Sequence, residues 1–314
     1  MSDTKSMRGE FGAFLVERGK IDPSLVVLDA DLSVSTRTSL FKSAFPERFF
    51  DMGIAEQDMV GAAIGLALTG KTVVASGFTV FTLGRALDFV KLAAHEQLPV
   101  KICTTHSGLS PAQDGWSHQC FEDIAITSSI PGLNVVAPAD GFEARQALEH
   151  VMDDPHPYFV RLTRNPSPRV VPPDYRFEFG RIQEIVPGSD ATIFAVGGMV
   201  DVAVSAASDL HDKGINVGVR DASTIKPLDS RTIIDCARAT GRIVVVEEHN
   251  VLTGLGAQIS AIVGKEYPVP VELIGMQDTF GQSGEEQELL EQYGLSASQI
   301  VEKIEAFLKQ NQEI

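Results

Sequence analysis

The sequence lacks an excess of positive charge, and this restricts its possible partners. Lysine and arginine total 26 against 42 acidic residues, so the 314-residue chain has a formal net charge of −16. A face that binds nucleic acid needs clustered lysine and arginine to neutralise phosphates. We therefore expect no nucleic-acid partner, and an anionic substrate would need a local group of basic side chains.

Cysteine and long apolar runs are also scarce. Cys103, Cys120 and Cys236 are far apart, odd in number and form no C-x-x-C pair. This argues against a disulfide framework and a zinc site, and it favours a reducing compartment. The N-terminal residues lack an apolar leader pattern, and no apolar run reaches the roughly 20 residues that cross a bilayer. We expect a cytoplasmic protein without membrane contact.

Two nucleotide-binding motifs are missing as well. The sequence has no G-x-x-x-x-G-K-[ST] and no convincing G-x-G-x-x-G followed by a ribose-binding acid. The segment GLGAQ (254–258) follows EEHNVL and is predicted to begin a helix. These absences argue against an NTPase and against a nicotinamide dehydrogenase.

Short β-rich runs alternate with helical patterns, and the chain length suits about two domains. Predicted strands of the first series are 25–30, 71–77, 100–105, 133–138 and 158–163, with helices at 57–69, 83–97 and 141–153. Predicted strands of the second series are 191–197, 215–221, 241–248 and 269–275, with closing helices at 285–292 and 296–310. Such alternation predicts two parallel-sheet-rich α/β domains. A proline-rich segment without clear periodicity separates the series, and we expect domains at 1–165 and 189–314 joined by a linker at 166–188.

One carboxylate, Glu56, stands at the start of a nearly uncharged stretch, VGAAIGLALTG. An acidic residue suits the first turn of a helix, where backbone N–H groups carry partial positive charge. A carboxylate in a water-poor site can instead move a proton. The stretch by itself slightly favours the helix start.

The loop THSGLSPAQDGWSHQ (105–119) follows a predicted strand and holds His106, His118 and Asp114 together with Trp116, the only tryptophan. Ligands in open α/β sheets lie beyond the carboxyl ends of strands. The loop therefore resembles a site, although either histidine alone could equally bond the backbone. Its spacing matches no common zinc pattern, so we expect no metal ligands here.

Aromatic and basic residues elsewhere allow two interpretations each. Phe78 and Phe81, three apart at a strand–helix junction, are either core residues or a wall for a planar ring. Arg8, Ser35 and Arg164 are either surface residues or ligands of an anion, which arginine can bind bidentately. Single residues do not decide between these alternatives.

Taken together, the segments resemble transketolase. GIAEQ, GFTVF, TTH, DGWSHQ and TRN stand in the order of that family, and DADLSVS (29–35) looks like its ADL-x-x-S. The second series contributes D-x-x-x-IKPLD (221–229), EEHN-x-x-x-GLG (247–256) and D-x-FG-x-SG (278–284). The resemblance covers essentially the whole chain and matches the C-terminal half of a full-length transketolase. It implies a pyrimidine-binding domain followed by the family's C-terminal domain.

The N-terminal half of full-length transketolases, which this chain does not match, carries part of the family's cofactor site. Transketolases hold the diphosphate of thiamine diphosphate and a divalent metal through a GDG…N motif in an N-terminal domain, and this sequence has no GDG. The resemblance implies an N-terminal partner subunit carrying that motif and holding Mg²⁺ or Ca²⁺. It also implies an α2β2 heterotetramer that transfers a two-carbon ketol unit from a ketose phosphate to an aldose or its phosphate.

The resemblance also implies roles for individual positions. Glu56 matches the glutamate that hydrogen-bonds a ring nitrogen of the aminopyrimidine. The other implied cofactor contacts are Phe78, Phe81, Asp31 and Ile54. His106 and His118 match histidines near the substrate hydroxyls, with roles in proton transfer or orientation. The remaining implied substrate contacts are Asp114 for a sugar hydroxyl and Arg8, Ser35 and Arg164 for a phosphate.

Four positions depart from the family pattern. Gly84 stands where a third aromatic residue is common, Ser107 replaces an aspartate, Gln113 a glutamate and Trp116 a proline. The nearest alternative is 1-deoxy-D-xylulose-5-phosphate synthase, which has the same domains and a DG-x-THQ loop, although His106 and Phe81 favour transketolase. A specialised sugar-phosphate transketolase is also an alternative. The beta subunit of the first pyruvate dehydrogenase component ranks third, because it lacks the DG-x-[ST]-HQ loop. A non-catalytic assembly subunit is the alternative from another class.

Overall fold

The computed structural model describes residues 4–311, whose strands form two large sheets and one short ribbon. The α-helices are α1 (Met7–Ile21), α2 (Ser33–Thr36), α3 (Ser39–Ala44), α4 (Glu56–Leu68), α5 (Thr79–His95), α6 (Asp123–Ser128), α7 (Gly141–Asp153), α8 (Met199–Asp212), α9 (Ser230–Thr240), α10 (Leu255–Glu266), α11 (Glu286–Gln292) and α12 (Ala297–Gln310). The strands are β1 (Thr4–Ser6), β2 (Leu25–Asp29), β3 (Phe49–Asp51), β4 (Thr72–Phe78), β5 (Val100–Thr105), β6 (Asn134–Val136), β7 (Tyr158–Arg161), β8 (Pro166–Pro168), β9 (Gln183–Val186), β10 (Ala191–Ala195), β11 (Val217–Asp221), β12 (Thr224–Lys226), β13 (Ile243–Asn250) and β14 (Val271–Met276).

The first sheet has the order β12-β6-β7-β5-β4-β2-β3, and all its pairs except β12–β6 are parallel. Every residue of β2 and β5 is buried, because helices cover both faces. Helices α1 and α7 pack on one face through a cluster that includes Phe11, Leu15 and Leu148. Helices α4 and α5 cover the other face through Met59, Val90 and their neighbours. Burial on both sides explains the near-continuous apolar runs of these strands.

The second sheet has the order β14-β13-β10-β11-β9, with β9 antiparallel to β11. Helices α8 and α12 cover one face and helices α9 and α10 the other. The expected α/β class is confirmed for both halves of the chain. Each sheet nevertheless carries one antiparallel edge strand, so both are mixed rather than purely parallel.

Strand β12 follows the second-series strand β11 in sequence but pairs with β6 at the edge of the first sheet. The predicted linker is also structured at both ends. Its first residues form β8, which pairs with β1, and its last part contains β9 of the second sheet. The boundaries at 165 and 189 remain a prediction.

Helix α1 is absent from the expected elements, although its sequence carries the relevant pattern. Met7, Phe11, Phe14 and Leu15 are buried and follow the i, i+4, i+7, i+8 spacing of an amphipathic helix. Ser6 caps the helix by accepting the Gly9 N–H. The short elements α2, α3 and β3 have no comparable periodicity, because three to six residues complete too few turns to show one.

A buried ion pair lies where the two sheets meet. Arg161, at the end of β7, donates from Nε to Asp123 Oδ2 at 2.6 Å, and its Nη2 donates to the Glu248 carbonyl oxygen on β13 at 3.3 Å. His249 is also fully buried there and accepts the Ala125 N–H at 3.3 Å. Residues from three separated chain segments thus form one polar cluster, which holds the second sheet against the first.

The substitution Arg161→Met removes the cation and leaves Asp123 buried without its partner. Removing one member of a buried pair costs about 3–5 kcal/mol, so we expect the free energy of unfolding in urea to fall by that amount. The control Arg231→Met removes an arginine that is 85% exposed in its pair with Asp235 and should leave stability nearly unchanged. Equal stability of the two variants would show that the junction does not depend on this pair.

Candidate active site

Polar residues gather at the edge of the first sheet where its strands end. Asp29 ends β2, Phe78 ends β4, and His106 directly follows β5. These strands are parallel neighbours, so their carboxyl ends bring distant parts of the sequence together. Asp29 itself stays inside, where its carboxylate accepts hydrogen bonds from Leu32 N and the hydroxyls of Thr36 and Thr38, so it shapes the loop.

Four of the predicted site residues form one group of stacked rings. Phe78 lies against His106 with ring centroids 3.7 Å apart and against Phe81 at 5.9 Å. His118 meets the edge of Phe81 at 5.1 Å. Phe78 is buried between its neighbours, whereas Phe81 is only half-buried. Of the two phenylalanines, Phe81 is therefore the one nearer the protein surface.

His106 is held in one orientation. Its backbone has a φ of +63°, its side chain is buried, and its Nδ1 lies 2.8 Å from Thr105 Oγ1. Burial lowers the pKa of this imidazole to about 3, and the nearby charges of Arg8 and Arg164 act in the same direction. The ring is therefore neutral near pH 7, with Nε2 left for another partner.

Glu56 is the first residue of α4, as the helix-start interpretation predicts, and it also faces a cleft. Its side chain is 3% exposed, and Arg85 Nη1 donates to Oε1 at 2.6 Å. The Arg85 guanidinium lies over the Phe81 ring, 4.5 Å from its centroid. A cleft of about 560 Å³ is lined by Glu56, Arg85, Gly84 and Ile54. Glu56 is thus joined to the ring group through Arg85.

Three arginines form a basic group beside the imidazoles. Arg8 Nη1 donates to the Ser35 carbonyl oxygen at 2.8 Å, and Arg8 Nε is buried without a hydrogen-bond partner. Burial lowers the pKa of Arg8, and the nearby charges of Arg37 and Arg164 lower it further. Arg164 lies 3.5 Å from Asp114 Oδ2. Repulsion among cations, together with an unsatisfied donor, is what an anion would relieve.

The departures from the family pattern lie in different surroundings. Ser107 is fully buried and its hydroxyl lies 2.7 Å from Thr79 Oγ1, so it joins a hydroxyl cluster inside the fold. Trp116 is 62% exposed and packs edge-on against Phe280 of the second domain, with centroids 5.8 Å apart. Gln113 donates to Glu285 at 2.9 Å. Two of these positions therefore fasten the loop 105–119 to the second domain.

Three predicted site residues stand apart from the ring group. Asp31 is exposed with a φ of +61°, and its N–H donates to Asp51 Oδ1 at 3.1 Å. Ile54 is 76% exposed at the rim of the cleft. Ser35 meets Arg8 through its backbone carbonyl. Their roles toward cofactor and substrate remain predictions.

The residues of the EEHN motif cap a helix and pack against a loop, and both roles depend on contacts with residues distant in sequence. Glu247 accepts the N–H groups of Leu255 and Gly256 at 2.7 and 2.9 Å, so it caps α10. Burial raises the pKa of Glu248 to about 8, against the opposing charge of Arg161. Its carboxyl lies against Gly108, which has a φ of +60° and where a Cβ would collide with Glu248 Oε2. The motif thus packs the second domain against the loop 105–119.

Sequence reasoning did not identify Arg85 or Arg37 as site residues. Neither belongs to a recognisable motif, and each acts through a partner distant in sequence. An arginine one residue after Gly84 was nevertheless a usable signal, because a planar cation can lie on an aromatic face in place of a third ring.

Two further observations concern metals and membranes. Within residues 4–311, no three His, Cys, Asp or Glu side chains are grouped so as to hold a metal ion. In the same part of the chain, no helix has both the length and the apolar character needed to span a membrane.

Comparison with known protein families gives two matches. The family described as transketolase, pyrimidine binding domain, matches residues 3–169. The family described as transketolase, C-terminal domain, matches residues 180–300. The first match covers every strand of the first sheet except β12, and the second covers β12 and the second sheet, so the order of the two domains agrees with the expected one.

Individual relatives extend along nearly the whole chain. A protein of Methanocaldococcus jannaschii described as a transketolase C-terminal section is 40% identical over 96% of this chain and 95% of its own length. A 6-deoxy-6-sulfo-D-fructose transketolase subunit of a Clostridium species is 34% identical over 94% of this chain and 92% of its own length. A solved structure described as a split gene transketolase, inactive beta4 tetramer, is 43% identical and superimposes with a TM-score of 0.89, covering 97% of this chain and 98% of that one.

The lowered pKa of His106 leads to a measurable titration. We expect nitrogen-15 NMR of the labelled chain to show this imidazole neutral from pH 8 to pH 5, with protonation only toward pH 3. An unfolded histidine takes up its proton near pH 6.5. His106 therefore disfavours folding increasingly as the pH falls below about 6.5. A His106 midpoint close to that of the urea-unfolded chain would contradict this.

Proposed function

The chain belongs to the transketolase family, and from that premise we propose that it is the C-terminal subunit of a split, thiamine diphosphate-dependent transketolase. Its reaction is the transfer of a two-carbon ketol unit from a ketose to an aldose, with at least one substrate bearing an anionic group. The observation that carries this proposal is the unbroken set of contacts from Glu56 through Arg85, Phe81 and Phe78 to His106.

The residues present fit the pyrimidine end of thiamine diphosphate. A planar heterocycle with ring nitrogens needs a flat apolar face and a hydrogen-bonding carboxyl group at its edge. Phe81 provides a half-buried ring, and Glu56 provides a buried carboxyl group whose cleft opens outward. When bound, the cofactor supplies a carbon nucleophile and an electron sink.

The chain's own residues then have distinct tasks. Glu56 hydrogen-bonds a pyrimidine ring nitrogen and holds the ring in one orientation, while Phe81 packs on its face. His106 is neutral and uses Nδ1 toward Thr105, so Nε2 is free to exchange a proton or a hydrogen bond with a substrate hydroxyl. His118 has its Nδ1 3.0 Å from Ser117 Oγ and can act similarly.

Arg8, Arg37 and Arg164 are the proposed site for the terminal anionic group of the sugar. Their positive charges locally oppose the net charge of −16. The unpartnered Arg8 Nε and the mutual repulsion of the three side chains support this assignment. Asp114, paired with Arg164, can accept a hydrogen bond from a sugar hydroxyl.

The partner in this proposal is an N-terminal subunit that binds the diphosphate and Mg²⁺ or Ca²⁺. The matched domains include none for those groups, and the sequence has no GDG. The structurally similar relative is described both as a split gene product and as an inactive beta4 tetramer, which supports dependence on a second chain. We propose an α2β2 assembly.

The proposal does not fix which ketose donates the ketol unit and which aldose accepts it. The Clostridium relative is a transketolase subunit for 6-deoxy-6-sulfo-D-fructose, and a guanidinium group binds sulfonate as well as phosphate. That relative and the altered loop position Trp116 favour a specialised sugar transketolase as the second candidate. A screen of ketoses bearing phosphate or sulfonate distinguishes the candidates directly.

Dependence on a partner is testable by reconstitution. We expect the purified chain with thiamine diphosphate and Mg²⁺ to transfer no ketol unit above background, and the same chain mixed with its GDG-bearing partner to be active. Native mass spectrometry of the mixture should show two copies of each chain. Substantial turnover by the chain alone would refute the need for a partner.

The role of Glu56 is testable in the reconstituted complex. We expect Glu56→Gln to lower kcat by at least about 100-fold, because a neutral amide cannot share a proton with the ring nitrogen. The matched control Glu47→Gln changes an acid that is 69% exposed and should keep full activity. Unchanged activity of Glu56→Gln would favour a non-catalytic assembly subunit.

A further inference from the structure

Arg85 contacts both groups that the proposed function assigns to the cofactor ring, the Glu56 carboxylate and the Phe81 face. Its guanidinium is planar, donates to Glu56 Oε1 at 2.6 Å and lies on the Phe81 face 4.5 Å from the centroid. A bound aminopyrimidine would need the same carboxyl group and the same ring face. Arg85 therefore makes the two contacts, with the Glu56 carboxyl group and with the Phe81 face, that a bound ring would make.

The pair also relieves an energetic problem of the chain by itself. Glu56 is 3% exposed, and within residues 4–311 Arg85 is the only residue that donates a hydrogen bond to its carboxylate. A buried carboxylate without a partner is costly. A side chain that neutralises Glu56 until a ligand arrives therefore keeps the pocket intact.

Arg85 is placed so that it can leave. Its side chain is 48% exposed, and the next residue, Ala86, has φ −111° and ψ 15°, which kinks α5 there. A Cβ at the neighbouring Gly84 would have no atom within 4 Å, so the space beside Arg85 is open. Water reaches the guanidinium end of the pair, and a ligand that takes over the hydrogen bond to Glu56 keeps the buried carboxylate partnered, so the exchange costs little free energy.

We propose that Arg85 is a positioning residue that acts as an internal stand-in for the aminopyrimidine, holding Glu56 and covering Phe81 until the cofactor displaces it. This rests on the proposed function. If Arg85 were a permanent wall of the pocket, it would strengthen cofactor binding. A stand-in competes with the cofactor, so the two roles predict opposite effects of removing Arg85.

The test measures thiamine diphosphate binding by isothermal calorimetry in the reconstituted complex. We expect Arg85→Ala to lower the Kd about three- to fivefold, the size expected when a weak competing ion pair is removed. Arg85→Lys should give an intermediate Kd, since an ammonium can pair with Glu56 but cannot stack flat. Lys91→Ala removes an exposed positive charge from the same helix and should leave the Kd unchanged.

A chemical rescue separates competition from a structural effect. Guanidinium chloride at low millimolar concentration should weaken binding to Arg85→Ala toward the wild-type Kd, while methylammonium chloride should have little effect. Weaker or unchanged cofactor binding by Arg85→Ala would overturn the stand-in role. A wild-type complex that binds no thiamine diphosphate would instead overturn the proposed function, and the inference with it.

Discussion

A sheet covered by helices on both faces can present side chains to a ligand only near the ends of its strands, and in parallel sheets ligands lie beyond the carboxyl ends. The first sheet of this protein follows that constraint. Strands β2, β4 and β5 are fully or almost fully buried along their lengths, and the predicted site residues stand where the chain leaves them. Phe78, His106 and the segment that leads to Glu56 therefore meet although they are far apart in sequence.

Charge is distributed unevenly around this edge. The chain as a whole is strongly acidic, yet Arg8, Arg37 and Arg164 are close enough to influence one another. Burial, together with the nearby charges of Arg8 and Arg164, lowers the pKa of His106 and keeps it neutral near pH 7. One local arrangement thus combines a concentration of positive charge with an uncharged imidazole. Neither property could be obtained from exposed residues, whose charges water would screen.

The sequence was informative where function fixes the order of residues, and less so where contacts are long-range. The alternation of strands and helices predicted the fold class, and the order of GIAEQ, GFTVF, TTH and DGWSHQ predicted Glu56, Phe78, Phe81, His106 and His118 as site residues. The last four lie in one ring group, and their roles stay a prediction. Arg85 was missed because its role depends on a partner 29 residues away on another helix. The capping role of Glu247 was hidden for the same reason, since only the folded backbone brings Leu255 and Gly256 to it.

Strand β12 limits how far the two domains can be separated from each other. It belongs by sequence to the second half of the chain, yet it covers the edge of β6 in the first sheet. A cut between the two domains would remove β12 and leave a bare edge with unpaired N–H and C=O groups, which is a template for aggregation. The two domains are thus interlocked through β12, and separating them would expose an edge of the first sheet.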